Sequence, residues 1–223
     1  PLNVTAGEDG TGSIYIETTT TDTNTLQTAK KMVLTAADDI TIDGNLRGDE
    51  GLEFNAGHAV NIISGSVYTN DKVNIASNDS LTIGGELFGG LGVNLTTPND
   101  VVFNGGSIGS DNDVTIKAGT DGSGSVLGGS AEGTDVVALG ILDIQATDSI
   151  GGEFALEAQV ATQANFRASD INVDVTNKPV DHSLLLSVSD IGGGPSNNVM
   201  MNVTSNNAVY FDTFNAVTAE ITA

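Results

Sequence analysis

Acidic and amide side chains recur at matching positions along the first half of the chain. Asp38, Asp79 and Asn99 each follow an apolar residue by six positions, and Asp39 and Asp100 lie directly after two of these sites. Carboxylate and amide oxygens are ligands that Ca²⁺ prefers, and a cation would relieve repulsion between like charges on neighbouring strands. Asp and Asn are also frequent turn residues, because their side chains bond to nearby backbone amides. We therefore expect turn residues here, with a calcium site at Asp38, Asp39, Asp79 and Asp100 as the alternative.

The residues that catalysis most often uses are sparse. The chain has no Cys, and its two His residues, His58 and His182, lie near no nucleophile motif. His58 takes the position that Asp38 and Asp79 hold in other copies, which interrupts the row of carboxylates. A polysaccharide-cleaving enzyme needs paired carboxylates beside sugar-stacking aromatic rings, yet Trp is absent and aromatic residues make up 4% of the chain. We predict no catalytic residue, no cofactor beyond the calcium alternative, and no enzyme; a carbohydrate-binding or polysaccharide-cleaving protein is the third hypothesis.

These positions belong to a sequence repeat. The first apolar residues of successive copies are Met32, Leu52, Val73, Val93 and Val114. A Gly followed two places later by an aliphatic residue marks the copies again, at Gly44, Gly65, Gly85 and Gly106. Both markers advance by the same step, and a fixed period of about 20 residues is typical of a solenoid, in which one structural unit stacks on the next.

Within each copy, apolar and polar residues alternate in short runs, as in Ile40 and Ile42 or Val60 and Ile62. Period-two alternation indicates strands with one buried face, and three runs per copy predict a three-sided coil. The fold class is therefore all-β, a parallel β-helix (β-solenoid) whose inward aliphatic residues form ladders along the axis. The 28 Gly residues are expected at the corners, where positive φ angles are needed.

The pattern predicts three regions. Residues 1–31 form an N-terminal strand and polar lead-in that acts as a cap, and residues 32–177 form the solenoid coils. Residues 118–135, rich in Gly and Ser, are predicted to be an insertion. Residues 178–223 are predicted to be a C-terminal β cap or strand-pairing segment, because their short and closely spaced strands suggest either hairpin-like strands or a cap that closes the end of the solenoid. Because a repeated surface suits a unique site poorly, specific recognition is expected at the insertion or after Lys178.

The charge excludes several partners. With 7 Lys and Arg against 29 Asp and Glu, the formal net charge is −22. Such a field repels phosphate backbones and anionic bilayers, so no nucleic-acid partner is predicted. No apolar run approaches the roughly 18 residues of a spanning helix, so no membrane insertion is predicted either.

The segments DITIDG, VNIASNDSLTIGG and VVFNGGSI resemble the repeat region of filamentous haemagglutinin and related large exoproteins secreted by the two-partner route. The resemblance covers roughly Met32 to Gly152, and the NPNG-like and NPNL-like motifs of that family's secretion domain are missing. It implies a right-handed parallel β-helix, extracellular or on the cell surface, that serves as the shaft of an adhesin. The implied partners are glycans or proteins on host or neighbouring cells.

A second hypothesis is a self-assembling subunit of an extracellular, pilus-like filament. The alternating strand SIYIE near the N-terminus and the segment AVTAEITA near the C-terminus could pair between chains by β-strand addition. The partners would then be copies of the chain itself.

Overall fold

The computed structural model describes residues 1–18, 25–129, 133–178 and 182–222. The Thr-rich tract at 19–24 and residues 130–132 of the Gly- and Ser-rich segment lie outside these ranges. Every strand pair in the described ranges is parallel, and those ranges contain no helix. The strands wind into a β-solenoid with three faces, so the predicted fold class is confirmed.

The described residues form 27 strands, numbered in chain order, and in the coils before β23 each face takes one strand from each coil. The first face contains β1 (Leu2–Ala6), β4 (Met32–Ala36), β7 (Leu52–Ala56), β10 (Lys72–Ser77), β13 (Gly92–Thr96), β16 (Val114–Ala118), β19 (Ile141–Ala146), β22 (Gln163–Arg167), β24 (Leu184–Ser189) and β26 (Val209–Phe214). The second contains β2 (Ile14–Glu17), β5 (Ile40–Asp43), β8 (Val60–Ser64), β11 (Leu81–Ile83), β14 (Val101–Phe103), β17 (Val126–Leu127) and β20 (Ser149–Gly151). The third contains β3 (Thr25–Thr28), β6 (Asn45–Gly48), β9 (Ser66–Thr69), β12 (Glu86–Gly89), β15 (Ser107–Ser110), β18 (Val136–Ala138) and β21 (Leu156–Val160).

The register of the first face reproduces the repeat. The apolar residues that mark the copies lie opposite one another on successive strands and are fully buried: Met32, Leu52, Val73, Val93 and Val114. Because side chains alternate across a strand, each inward residue stacks on its counterpart one coil away, about 4.8 Å along the axis. The core is therefore a set of continuous apolar ladders inside the three faces.

The last coils have two sides instead of three. β23 (Asp170–Asn177) pairs with β20 through Ile171 and with β21 through Val173, so one long strand covers the second and third faces. β25 (Ser196–Thr204) pairs with β23, and β27 (Ala216–Thr222) pairs with β25. The cross-section thus changes from a triangle to two opposed sheets.

Both terminal regions belong to the solenoid. Within residues 1–31, β1, β2 and β3 form a coil that packs on the next, with Leu2 opposite Met32. This coil is longer than the one that runs from Met32 to Leu52, so a search for evenly spaced copies does not find it. At the other end, β24 and β26 pair in parallel, so the hairpin-like arrangement predicted after Lys178 is wrong.

The Gly- and Ser-rich segment also contributes strands. Val126 in β17 lies opposite Val101, and Val136 in β18 lies opposite Ile108; all four are fully buried. The coil from Val114 to Leu142 is longer than the regular coils before it, and its additional residues lie between the strands, before and after β17 in the sequence.

Glycine holds the corner between the second and third faces mainly because the coils approach closely there. A Cβ atom on Gly65 would lie 2.3 Å from the carbonyl oxygen of Gly44, and one on Gly106 would lie 2.4 Å from that of Gly85. Gly44 and Gly65 have positive φ, whereas Gly85 and Gly106 do not. The expectation that positive φ explains the corner glycines is thus correct for only half of this stack.

Candidate functional site

The carboxylates found by sequence spacing lie at the corner between the first and second faces. Asp38 and Asp39 follow β4, Asp79 follows β10 and Asp100 precedes β14. Each is placed by the buried residues on either side of the corner, such as Ala36 before Asp38. Asp39 and Asp79 are two coils apart, which at about 4.8 Å per coil is too far for one shared ion.

Each of these carboxylates accepts a hydrogen bond from a neighbouring coil. Asp38 accepts from the amide of Gly12 at 2.7 Å, and Asp39 accepts from the amide of Ala59 at 3.0 Å. The corresponding bonds of the later coils are Asn99 Nδ2 to Asp79 Oδ1 at 2.6 Å and Ser125 N to Asp100 Oδ1 at 2.7 Å. Hydrogen bonds to an ionised acceptor are stronger than neutral ones. These side chains therefore join one corner to the next.

The same corner offers little for a metal. His58 Nδ1 lies 3.9 Å from Asp38 Oδ1, a contact that is ionic only when the imidazole is protonated. Over residues 1–18, 25–129, 133–178 and 182–222, no group of three or more His, Cys, Asp or Glu side chains is placed to hold a metal ion. The calcium site stays a prediction. Its protein ligands would have to be two side chains of adjacent coils.

Calcium is expected to leave the thermal stability unchanged. Because the corner carboxylates already have amide donors, the melting temperature followed by circular dichroism should be the same in millimolar Ca²⁺ and in chelator. A rise that saturates with Ca²⁺ and disappears in Asp79→Asn would contradict this expectation, because it would show that the corner carboxylates bind the ion.

A column of outward side chains on the third face was not found by sequence reasoning. Tyr68 and Phe88 are stacked with ring centroids 5.2 Å apart and planes 7° apart, and the Arg47 guanidinium lies 5.2 Å from the Tyr68 ring centre. Tyr68 donates from its hydroxyl to Asn70, and Arg47 forms an ion pair with Asp49. The column stabilises the face through stacking and cation–π attraction. The column could have been predicted from the sequence, because all three residues hold the same position in successive repeats.

Asp135 is a second feature that the sequence did not reveal. It is 6% exposed, and its carboxylate accepts hydrogen bonds from the amides of Gly129 and Glu157. Burial raises the pKa of Asp135, against the opposing effect of these amide bonds. A perturbed acid can mark a reactive site. Here its partners are backbone amides at a corner. We therefore infer that Asp135 has a structural function and joins the Gly- and Ser-rich segment to the next coil, which contains Glu157.

Replacing Asp135 with alanine should lower the free energy of unfolding by about 2 kcal/mol, because two amides near the core lose their acceptor. The raised pKa means that the folded state binds a proton more tightly than the unfolded chain. The stabilisation from this proton is therefore complete below the ordinary pKa and is lost as the pH rises through the raised value. Urea midpoints of wild type and Asp135→Ala between acidic and neutral pH should show the larger difference at acidic pH.

The conservative variant Asp135→Asn serves as the control for this titration. It keeps one acceptor oxygen and the volume of the side chain, so it should retain part of the stability but lose the pH dependence. Equal midpoints for wild type and Asp135→Ala at every pH would show that the buried carboxylate has no structural role.

The outer surface carries several grooves. One of them contains two carboxylates, those of Glu157 and Asp174, together with Gln159, Thr176 and Asn202. Asp174 accepts a hydrogen bond from Asn202, and Gln159 donates to Thr134. None of the described residues that line this groove is aromatic. The groove therefore lacks the stacking surface that the polysaccharide-cleaving hypothesis requires.

The chain is a parallel β-solenoid protein. Three features define it: the apolar ladders, the stacked glycines between the second and third faces, and the stacked polar residues between the first and second faces. Its family is not established by comparison: no protein-family model, curated protein or solved structure matches the chain. Among the described residues there is no helix of the length and hydrophobicity needed to span a bilayer.

Proposed function

We propose that the chain is a non-catalytic, extracellular shaft, a length of β-solenoid that holds other parts of a cell-surface adhesin or exoprotein at a fixed distance. The observation that carries this proposal is the continuous parallel pairing of the first face, in which ten strands of the described residues pair in sequence from β1 to β26, with one register shift in the last pair. Such a stack forms a rod, because each coil is hydrogen-bonded to its neighbours along the axis.

The dimensions suit a spacer. Ten strands at about 4.8 Å each span roughly 43 Å along the axis. The strongly negative net charge of −22 keeps such rods from associating side by side. The resemblance to the repeat region of filamentous haemagglutinin favours the same function. On that basis, the partners would be glycans or proteins of host or neighbouring cells.

Location tests this proposal directly. Antibodies raised against the purified chain are expected to label intact, unpermeabilised cells of the source organism. Labelling that appears only after permeabilisation would overturn an extracellular function. A binding screen against glycans and matrix proteins then separates the two forms of the proposal: saturable binding indicates an adhesin, whereas no binding leaves the spacer.

The filament hypothesis is the second candidate, and the C-terminal coil favours it. Phe211 lies opposite the buried Leu186, and Phe214 lies opposite Val188, so both hold inward positions. They are nevertheless 41% and 36% exposed, because no described strand packs beyond β26. Ile221, opposite the buried Met201, is 42% exposed for the same reason. A second copy stacked with its β1 on β26 would cover these residues and continue the parallel sheet, and such a head-to-tail contact propagates into a filament.

Sedimentation velocity and electron microscopy of the purified chain distinguish the candidates. A filament subunit should form polymers that Phe211→Asp abolishes, whereas the adjacent Tyr210→Asp, whose side chain is 59% exposed, should leave them intact. A monomer at every salt and Ca²⁺ concentration would exclude the filament and leave the shaft proposal unaffected.

A further inference from the structure

The dipeptide Asn104–Gly105 lies where the second face turns into the third. Asn104 directly follows β14, and its backbone amide donates to the carbonyl of Ile83 at 2.8 Å. Its side chain is exposed, and no described residue forms a hydrogen bond with its amide group. The neighbouring coils contribute glycines at this level, Gly84 before it and Gly129 after it, so no side chain from those positions packs on Asn104.

Gly105 is equally unconstrained. Its φ is +80°, and a Cβ atom added to it would meet no atom within 4 Å. Within the described part of the chain, no group accepts a hydrogen bond from the Gly105 amide. Among the described residues, the nitrogen that follows Asn104 thus has no hydrogen-bond acceptor, and its own residue carries no side chain that would hinder attack on the Asn104 amide carbon.

We propose that Asn104 is a site of spontaneous deamidation in the folded protein. The Gly105 nitrogen attacks Cγ of Asn104, the bond from Cγ to Nδ2 breaks, and ammonia leaves after taking up the proton that the Gly105 nitrogen gives up. The product is a cyclic imide. Water then adds to either of its two carbonyls and yields aspartate or isoaspartate at position 104. The sequence of steps involves no oxidant or reductant, and hydroxide from the solvent is sufficient to remove the amide proton.

The geometry disfavours the same reaction in the centres of the strands. Asn74 and Asn94 lie in β10 and β13, where the extended backbone is fixed by both neighbouring strands. Their side chains are also bonded to each other, from Asn94 Nδ2 to Asn74 Oδ1 at 2.9 Å. The residues that follow them, Ile75 and Leu95, are buried and branched, and branching hinders attack by the backbone nitrogen.

The product is compatible with the solenoid. Because Asn104 and Gly105 are exposed and lie outside both β14 and β15, we expect the corner to accommodate the additional backbone carbon of isoaspartate. Each event adds one negative charge at a corner of a chain whose net charge is already −22. The deamidated protein should therefore stay folded and differ in surface charge.

The test is incubation of the full folded chain at mildly alkaline pH, followed by peptide mapping by mass spectrometry. We expect a mass gain of about 1 Da confined to the peptide that contains Asn104, as both aspartate and isoaspartate, with Asn74 and Asn94 unchanged. The same chain in urea provides the reference rate for an unconstrained backbone. If Asn104 reacts in urea but stays intact in the folded chain over the same period, the proposal is wrong.

Two variants separate the chemistry from the fold. Gly105→Ala should slow the reaction by about tenfold, equivalent to roughly 1.4 kcal/mol in the activation barrier, because its methyl group hinders the attack. Asn104→Gln keeps the amide but lengthens the side chain, and it should abolish the mass gain. Circular dichroism of each variant confirms that the chain is folded. A rate unchanged by Gly105→Ala would overturn the proposed route.

Discussion

Gly57→Ala is expected to lower the free energy of unfolding by about 3 kcal/mol. Gly57 lies at the corner between the first and second faces, and the coils meet too closely at this position for any side chain. A Cβ atom at position 57 would lie 1.8 Å from the carbonyl oxygen of Ala37. The φ of Gly57 lies outside the left-handed region, so backbone strain adds nothing to this effect. The corner cannot open without cost, since the Gly57 amide donates to Ala36 at 2.9 Å. Urea denaturation followed by circular dichroism measures the change.

Gly105→Ala is the matched control, because it adds the same methyl group at a position where no neighbouring coil is close. Gly105 has a φ of +80°, a strained value for alanine, but open space around its Cβ position. Its substitution should therefore cost only about 1 kcal/mol, the strain of a left-handed residue. If Gly57→Ala proved no more destabilising than Gly105→Ala, close approach of the coils would not be the reason for glycine at the corner.

Ile62→Asp is expected to destabilise the protein by about 4 kcal/mol or more, because it places a charge without a partner inside the apolar ladder. Ile62 is fully buried and lies between Ile42 and Ile83 of the neighbouring coils. In a stacked repeat, such a defect weakens both interfaces of one coil and divides the stack into two shorter ones. Hydrogen exchange should show lost amide protection centred on the coil that contains β8.

The adjacent outward residue provides the comparison. Asn61→Asp introduces the same side chain on the same strand, between Thr41 and Thr82. Its effect should stay within about 0.5 kcal/mol, as for other surface substitutions. Equal effects at positions 61 and 62 would contradict the assignment of inward and outward faces.

The regular part of the fold was predictable because a solenoid repeats its constraints. The first apolar residues record the inward ladder of the first face, and the Gly-x-aliphatic marker records that of the third face with the same period. Met32 to Val114 could therefore be aligned without a structure. The structure confirms that alignment residue by residue. A pairing that recurs at every coil leaves a periodic signal, whereas a pairing that occurs once does not.

The parts that sequence reasoning missed are those where loop length varies. The first coil and the coil that begins at Val114 are both longer than the regular ones, so their inward residues fall outside the expected steps. The long strand β23 could not be predicted, since its alternation from Ile171 to Val175 is the same whether it covers one face or two. The conformation of a corner, rather than the pattern of a strand, decides the number of sides.

The candidate site was predictable in position but not in bonding. The spacing placed Asp38 and Asp79 at equivalent corners, but their amide donors come from other coils and depend on three-dimensional contact. Asp135 could not be found from the sequence, because its function depends on the amides of Gly129 and Glu157, which come together only in the folded chain. The Arg47, Tyr68 and Phe88 column could have been found by aligning outward positions with the same care as inward ones.

The coil-to-coil register also determines how the protein would respond to force. The covalent chain runs around the axis, so tension along the rod is carried by the hydrogen bonds between coils and by the contact of their apolar ladders. When the stack is pulled along its axis, it should give way one coil at a time, because each coil is held to the next by its own set of these bonds. A regular coil of about 20 residues releases about 70 Å of extended chain when it detaches. A single molecule should therefore lengthen in regular steps, with a longer step where the extended coil between Val114 and Leu142 gives way.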